Sequence, residues 1–223
     1  MESFNSQTVG LILAAGLSSR FGFSKALIKV QGRPLVERLV QLYATCCQSV
    51  CVVTGFQAEA VAQALKESKA QVIYNPQYEQ GVLTSLMIGL KEALRLAPHA
   101  KGILISPVDF PLDDEEVSKK IIANAEQSSC LIAIPTYQDR KGYPIWISSE
   151  AIRLLIKPQS ELSKEEEELK KLLLEIPKGI SIFHPPPEAA AWISYIPVPN
   201  PDILVNFNTI EAFLKWRLFS QKF

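Results

Sequence analysis

The chain lacks an excess of either charge: its 223 residues carry 23 basic and 23 acidic side chains. A general nucleic-acid binder needs a basic surplus, so that class of partner is not expected. A small anion held by two or three local cations is still allowed. Long hydrophobic runs are also missing, and none approaches the roughly 20 residues that cross a bilayer. The opening MESFNSQTVG has no basic segment followed by an apolar core, so no signal peptide, no membrane partner and a cytoplasmic location are expected. Cysteine and histidine are scarce. Cys46, Cys47, Cys51 and Cys130 form no CxxC pair, and only His99 and His184 could join them. A zinc site is not expected from such spacing. The cysteines read as small apolar residues in a reducing compartment.

What is present is a core. Apolar residues make up 48% of the chain and charged ones 21%, a globular composition. Val9–Ala14 is a short apolar run stopped by Ala15-Gly16 and reads as a buried strand. Pro34–Ala44 has helical spacing, with Pro34 suited to a first turn. SVCVVTG is a second strand, Gln57–Lys66 an amphipathic helix and QVIYN a third strand. SLMIGLKEALRLA reads as a helix with Ser85 as N-cap, GILIS as a fourth strand, Asp113–Ala125 as a helix and CLIAIP as a fifth strand. Glutamates precede lysines through Ser160–Pro177, which supports a solvated helix. The following proline-rich stretch fits irregular connections and edge strands. DILVNFNTIEAFLKWRLF closes the chain as strand, turn and helix. Strands alternating with helices at this interval predict an α/β fold in three layers, a mostly parallel sheet with helices on both faces. No linker is visible, so residues 1–223 are expected to form a single domain.

The stretch LILAAGLSSRFGFSKAL ends a strand in small residues and follows it with two cations. Ligands of open α/β sheets bind at the carboxyl ends of the strands. Small residues let backbone N–H groups approach a phosphate, and Arg20 and Lys25 can neutralise its charge. A GxGxxG turn would need glycine at Ala14, and a P-loop would need lysine where Phe23 stands. On its own the cluster fits a glycine-rich turn with two solvated cations equally well. Asp109, after GILIS, also falls at a strand end; alone it reads as a turn or cap aspartate before Pro111. Asp113 and Asp114 read as caps of the next helix. Thr54 and Gly55 end the second strand and are candidates for a base pocket.

LAAGLSSRFGFSKAL followed by GRPLVER resembles the signature of the MobA-like nucleotidyltransferases, LAAGxSxRxGxxK then GxPLL. NPQYEQGVLTSLMIGL, ISPVDFPLDD, GYPIWIS and NFNTIEAF resemble later family segments in the same order. The resemblance implies a Rossmann-like nucleotidyltransferase fold and transfer of a nucleotidyl group from an NTP to a phosphorylated acceptor. Lys25 would then bind the α-phosphate and Arg20 the leaving pyrophosphate. Ala14, Ala15, Gly16 and Ser19 would make loop contacts. Asn75, Gly81 and Ser85 would lie near ribose and base. Asp109 would hold Mg²⁺ together with Asn206 and Asn208, which stand where many relatives carry aspartates. The LAAG and GVLTSL segments resemble the cytidylyl branch, favouring CTP over GTP, while the two asparagines resemble the guanylyl branch. Molybdopterin is the acceptor implied, with a sugar or alditol phosphate, or a non-catalytic nucleotide-binding role, as alternatives. The glutamate-rich Ser160–Pro177 replaces a GDxGAR-like segment, and Tyr143 replaces a histidine between Gly142 and Pro144.

Overall fold

The computed structural model describes residues 6–18, 22–110, 114–176 and 187–219. β1 (Thr8–Ala14) comes first, followed by a short 3-10 turn at Lys25–Leu27. A small hairpin of β2 (Lys29–Val30) and β3 (Arg33–Pro34) leads into α1 (Leu35–Cys46). Then come β4 (Ser49–Thr54), α2 (Ala58–Ala64), β5 (Gln71–Tyr74), α3 (Val82–Leu96) and β6 (Gly102–Pro107). The second half holds α4 (Glu115–Gln127), β7 (Ile132–Tyr137), β8 (Arg140–Lys141), β9 (Ile145–Ser148) and α5 (Ser149–Ile156). α6 (Lys164–Glu175), β10 (Ile193–Pro197) and α7 (Ile210–Phe219) complete it. No helix among the described residues is long and apolar enough to cross a membrane.

The central sheet runs β10-β7-β9-β6-β1-β4-β5, with β8 paired to β7. It is mostly parallel, as the alternation of elements predicts. β9 is an exception, antiparallel to β6 and β7, and β8 runs antiparallel to β7. The apolar strands are continuous because both faces are covered. Ile12, Val52, Leu104 and Ala133 pack on the side of α1, α4 and α7. Leu11, Val53, Ile103 and Ile134 pack on the side of α3, α5 and α6. Neighbours along a strand thus serve opposite layers, as a two-residue side-chain period demands.

Two expected elements differ. The helix expected to start at Ser85 starts at Val82, so Ser85 is a buried residue inside α3 and not its cap. Gly81 occupies the N-cap with φ 109° and ψ 174°, a conformation that favours glycine, and that sets the start. DILV does not form a strand. Pro201–Leu204 is a 3-10 turn: Pro201 supplies a helical φ, and the Asn200 side chain accepts the Asp202 N–H. The glutamate-rich helix begins at Lys164 behind a Ser163–Glu166 capping box, and it buries Leu169, Leu172 and Leu173.

From β1 the chain moves outward through β4 to β5, then returns to place β6 on the other side of β1. Strand order reverses there, so the ends of β1 and β6 bound a crevice at the topological switch point. Leu13 pairs with Pro107 and Ala14 with Thr54, so Gly16, Gly55 and Asp109 all follow strand ends on one edge.

Candidate active site

The crevice is a cleft of about 290 Å³. Ala14, Ala15, Gly16, Ser18, Lys25 and Asp109 line it from the β1 and β6 ends, while Tyr78, Gly81, Val82 and Ser85 line it from the start of α3. Ala14 and Ala15 are buried, so their methyls form wall and not surface. The amino end of α3 borders the cleft with no side-chain cap, leaving partly positive N–H groups there.

Lys25 is held at both ends. Its backbone N–H donates to Ser18 Oγ at 3.0 Å. Its ammonium donates to Asp109 Oδ2 at 2.8 Å and to Asn208 Oδ1 at 3.1 Å. Both members of the ion pair are only 16% exposed. Asp109 is placed by its neighbours: Val108 N–H bonds Leu13 O at 3.0 Å, and Phe110 N–H turns back to Pro107 O at 3.1 Å. The Asp109 carbonyl accepts the Phe207 N–H at 2.8 Å, which brings the Asn206–Asn208 segment to the same place. Phe207 anchors that segment, being fully buried with ring centroids 5.2 Å from Phe213 and 5.1 Å from Trp216. Asn206 Oδ1 is buried with no hydrogen-bond partner among the described residues. No cluster of three His, Cys, Asp or Glu side chains able to hold a metal occurs among the described residues. The oxygens gathered at the Lys25 ammonium are those of the Asp109 carboxylate and the Asn208 side-chain amide.

Other expected residues fall elsewhere. Arg20 and Ser19 lie outside the described residues, as does Asp113. Asn75 is buried and does not line the cleft. Its Nδ2 donates to Thr84 Oγ1 at 3.0 Å and Ser85 Oγ at 2.9 Å, and its Oδ1 accepts the Gln77 N–H, so it clasps the loop before α3. Thr54 and Gly55 do not line the cleft either. They line a neighbouring cavity of about 640 Å³ with Gln57, Val72 and Tyr74. The division comes from Tyr78: a β-carbon on Gly55 would stand 2.5 Å from Tyr78 Cβ and 2.8 Å from Ala15 O. Only glycine lets Tyr78 close the cleft on that side.

Beyond Asp109, the Tyr143 ring sits 4.4 Å from Phe110. Burial, with a smaller push from the Asp109 carboxylate, raises its phenol to about 12, so it stays protonated at neutral pH. Leu13, Val82 and Pro107 are shared between the cleft and a small apolar cavity that Tyr143 also lines. Ser18, Ser24, Tyr78 and Gln57 were not anticipated from the sequence. The paired serines of LSSR could have pointed to Ser18; nothing local marks Gln57.

A crevice of this kind defines an open α/β protein whose ligand site lies where strand order reverses. The chain belongs to the MobA-like NTP transferase domain family, whose model matches residues 10–177. It is 27% identical over 179 residues to the bifunctional protein GlmU of Pseudothermotoga lettingae, a match covering 78% of this chain and 38% of that one. It is 30% identical over 139 residues to a probable molybdenum cofactor guanylyltransferase of Bacillus cytotoxicus, covering 59% and 63%. It is 24% identical over 143 residues to the molybdenum cofactor cytidylyltransferase of Escherichia coli, covering 64% and 70%. The chain thus spans less than two thirds of the length of the first two relatives. The fold is shared with a nucleotidyl transferase from Methanothermobacter, at TM-score 0.67, 21% identity and coverage of 94% and 95%. It is shared too with Rv0371c of Mycobacterium tuberculosis in complex with manganese, at TM-score 0.64, 20% identity and coverage of 94% and 97%.

Proposed function

We propose that the protein moves a nucleoside monophosphate from an NTP to a phosphorylated acceptor and releases pyrophosphate. The observation that carries this reading is the Lys25–Asp109 pair beside an uncapped helix end in the switch-point cleft. In such a transfer an acceptor phosphate oxygen bonds the α-phosphorus while the bond to the bridging oxygen breaks. The protein's work is positioning and charge neutralisation. Lys25 is the residue to hold the α-phosphate and offset charge that grows as the bond forms. The small residues Ala14, Ala15 and Gly16 let the triphosphate lie against backbone. Arg20 is assigned to the leaving pyrophosphate by its place in the motif.

Asp109 and the amide oxygens of Asn206 and Asn208 form an oxygen donor set suited to a hard divalent ion. The buried, partnerless Asn206 Oδ1 is the atom such an ion would satisfy. These residues are therefore assigned to Mg²⁺, which when bound neutralises phosphate charge. The manganese complex of Rv0371c supports a divalent ion in this fold.

The nucleotide proposed is CTP. The Ala15 methyl is part of the cleft wall, and the space it takes disfavours the larger purine. Molybdopterin is the proposed acceptor, supported by the activities named for the Bacillus and Escherichia relatives. The test is pyrophosphate release from each NTP with Mg²⁺, with and without molybdopterin. Release is expected with CTP and acceptor together. Release from no NTP sinks the catalytic reading, and preference for GTP sinks the base assignment. Triphosphate binding should strengthen with Mg²⁺, and Asp109→Asn should remove most of that gain. Ala15→Gly should narrow the gap between CTP and GTP in competitive binding.

A further inference from the structure

Gln57 stands at the amino end of α2 in the left-handed region, with φ 54° and ψ 39°. A β-carbon is disfavoured there, and glycine takes that conformation freely. Gln57 is not one of the short polar residues that cap a helix through an N–H of its own first turn, and it makes no such bond. Its Oε1 instead accepts the Ser24 N–H at 2.9 Å, across 33 residues of sequence. The next amide, that of Lys25, donates to Ser18 Oγ at 3.0 Å, and Ser18 also has a positive φ of 49°. Two consecutive amides at the start of the 3-10 turn, which helical bonding leaves unpaired, are thus held by side chains from the loops after β1 and β4. Both side chains sit on non-glycine residues in a disfavoured backbone conformation. Such conformations persist where the surroundings fix them, and they gather at functional sites.

We infer that Gln57 is a positioning residue whose amide oxygen fixes the backbone from which Lys25 reaches Asp109 and the cleft. Glycine would suit the backbone better; the side chain is kept for its acceptor. Gln57 lines the neighbouring cavity and is absent from the cleft wall, so its effect reaches a bound nucleotide through the Lys25 loop. The effect on rate rests on the nucleotidyl-transfer reading, and the clamp itself does not.

The full-length chain is compared with Gln57→Ala, Gln57→Gly and Gln57→Glu. Amide exchange is followed in the peptide that spans Ser24 and Lys25, together with thermal melting and steady-state pyrophosphate release. Loss of one hydrogen bond should speed exchange at Ser24 by roughly three- to tenfold in the alanine and glycine variants. kcat should fall by a similar factor while KM for the triphosphate stays within about twofold, the signature of a lost transition-state contact. Gln57→Gly should melt no lower than Gln57→Ala, since it relieves the backbone, so the rate loss will not follow stability. Gln57→Glu keeps an acceptor oxygen and should restore slow exchange. Unchanged exchange in the first two variants overturns the clamp, and faster exchange with undiminished kcat overturns the positioning role. If the wild type releases pyrophosphate from no NTP, the functional reading fails, and exchange alone decides whether Gln57 holds the loop.

Discussion

Lys25 binds two oxygens that lie far along the chain, Asp109 Oδ2 and Asn208 Oδ1. A triphosphate offers the same ammonium a stronger partner, so Lys25 can exchange an internal anion for a substrate anion without ever being left bare. Both members of the pair are only 16% exposed, so Lys25→Ala leaves the Asp109 carboxylate without its cation and should lower stability as well as turnover. A charge-assisted contact to phosphate is worth roughly 1.5–3 kcal/mol, so turnover should drop by about one to two decades if that contact forms mainly in the transition state. Lys25→Arg is the sharper variant. Its planar fork can still pair with Asp109 but cannot act as a compact point charge at the α-phosphorus. For Lys25→Arg, melting near wild type with lost pyrophosphate release is the expected outcome, and full turnover in either variant would remove Lys25 from the mechanism.

At the scale of elements, α4 shows how one residue sets both a helix start and a tertiary contact. Asp114 Oδ1 accepts the Val117 N–H at 3.1 Å, and its other oxygen accepts Asn200 Nδ2 at 2.7 Å. Glu115 and Glu116 add negative charge in the first turn, where the helix dipole favours it. Asp114→Ala should therefore destabilise by about 1 kcal/mol, seen as a melting shift of roughly 2–4 °C. Asp114→Asn keeps an acceptor and should recover most of it. This cap was readable from the sequence, as were the strands that carry the cleft, because local chemistry decided them. Val9–Ala14 ends in small residues, and GILIS runs straight into Asp109. Where local signals were weak, tertiary context won. Gly81 takes a backbone that other residues avoid and starts α3 earlier than Ser85 would suggest. Pro201 and Asn200 bend a short apolar run into a turn. Thr54 and Gly55 end their strand as read, but they line the neighbouring cavity, while Tyr78, packed against Gly55, lines the cleft. No pattern in the sequence announces that packing, nor the bond from Gln57 to Ser24.

At the scale of the molecule, the sheet depends on β1, which lies between β4 and β6 and ends in the cleft. Its start is fastened by residues far away in sequence. Glu126 Oε1, near the end of α4, accepts Ser6 Oγ at 2.9 Å, the Gln7 N–H at 2.9 Å and Thr8 Oγ1 at 2.7 Å. Thr8 is fully buried, and its hydroxyl also accepts the Trp146 indole N–H from β9 at 3.0 Å. One carboxylate oxygen therefore joins the first strand to a covering helix, and through Thr8 to the antiparallel strand. Bonds to a charged acceptor are stronger than neutral ones, and a group left unpaired in a buried place bears its desolvation cost. Glu126→Ala removes the acceptor from three donors at once. Because the donors share one atom, their contributions do not add, and a loss of about 3 kcal/mol is expected in place of a threefold sum. For a chain of this size that corresponds to a fall in melting temperature of roughly 6–12 °C. Glu126→Gln retains an oxygen of similar reach but without charge, so about 1 kcal/mol should be lost. Denaturant unfolding of the three proteins separates these values. If Glu126→Ala unfolds at the wild-type midpoint, β1 is held by its ladder and core contacts alone. If the glutamine variant is as weak as alanine, charge and not geometry does the fastening.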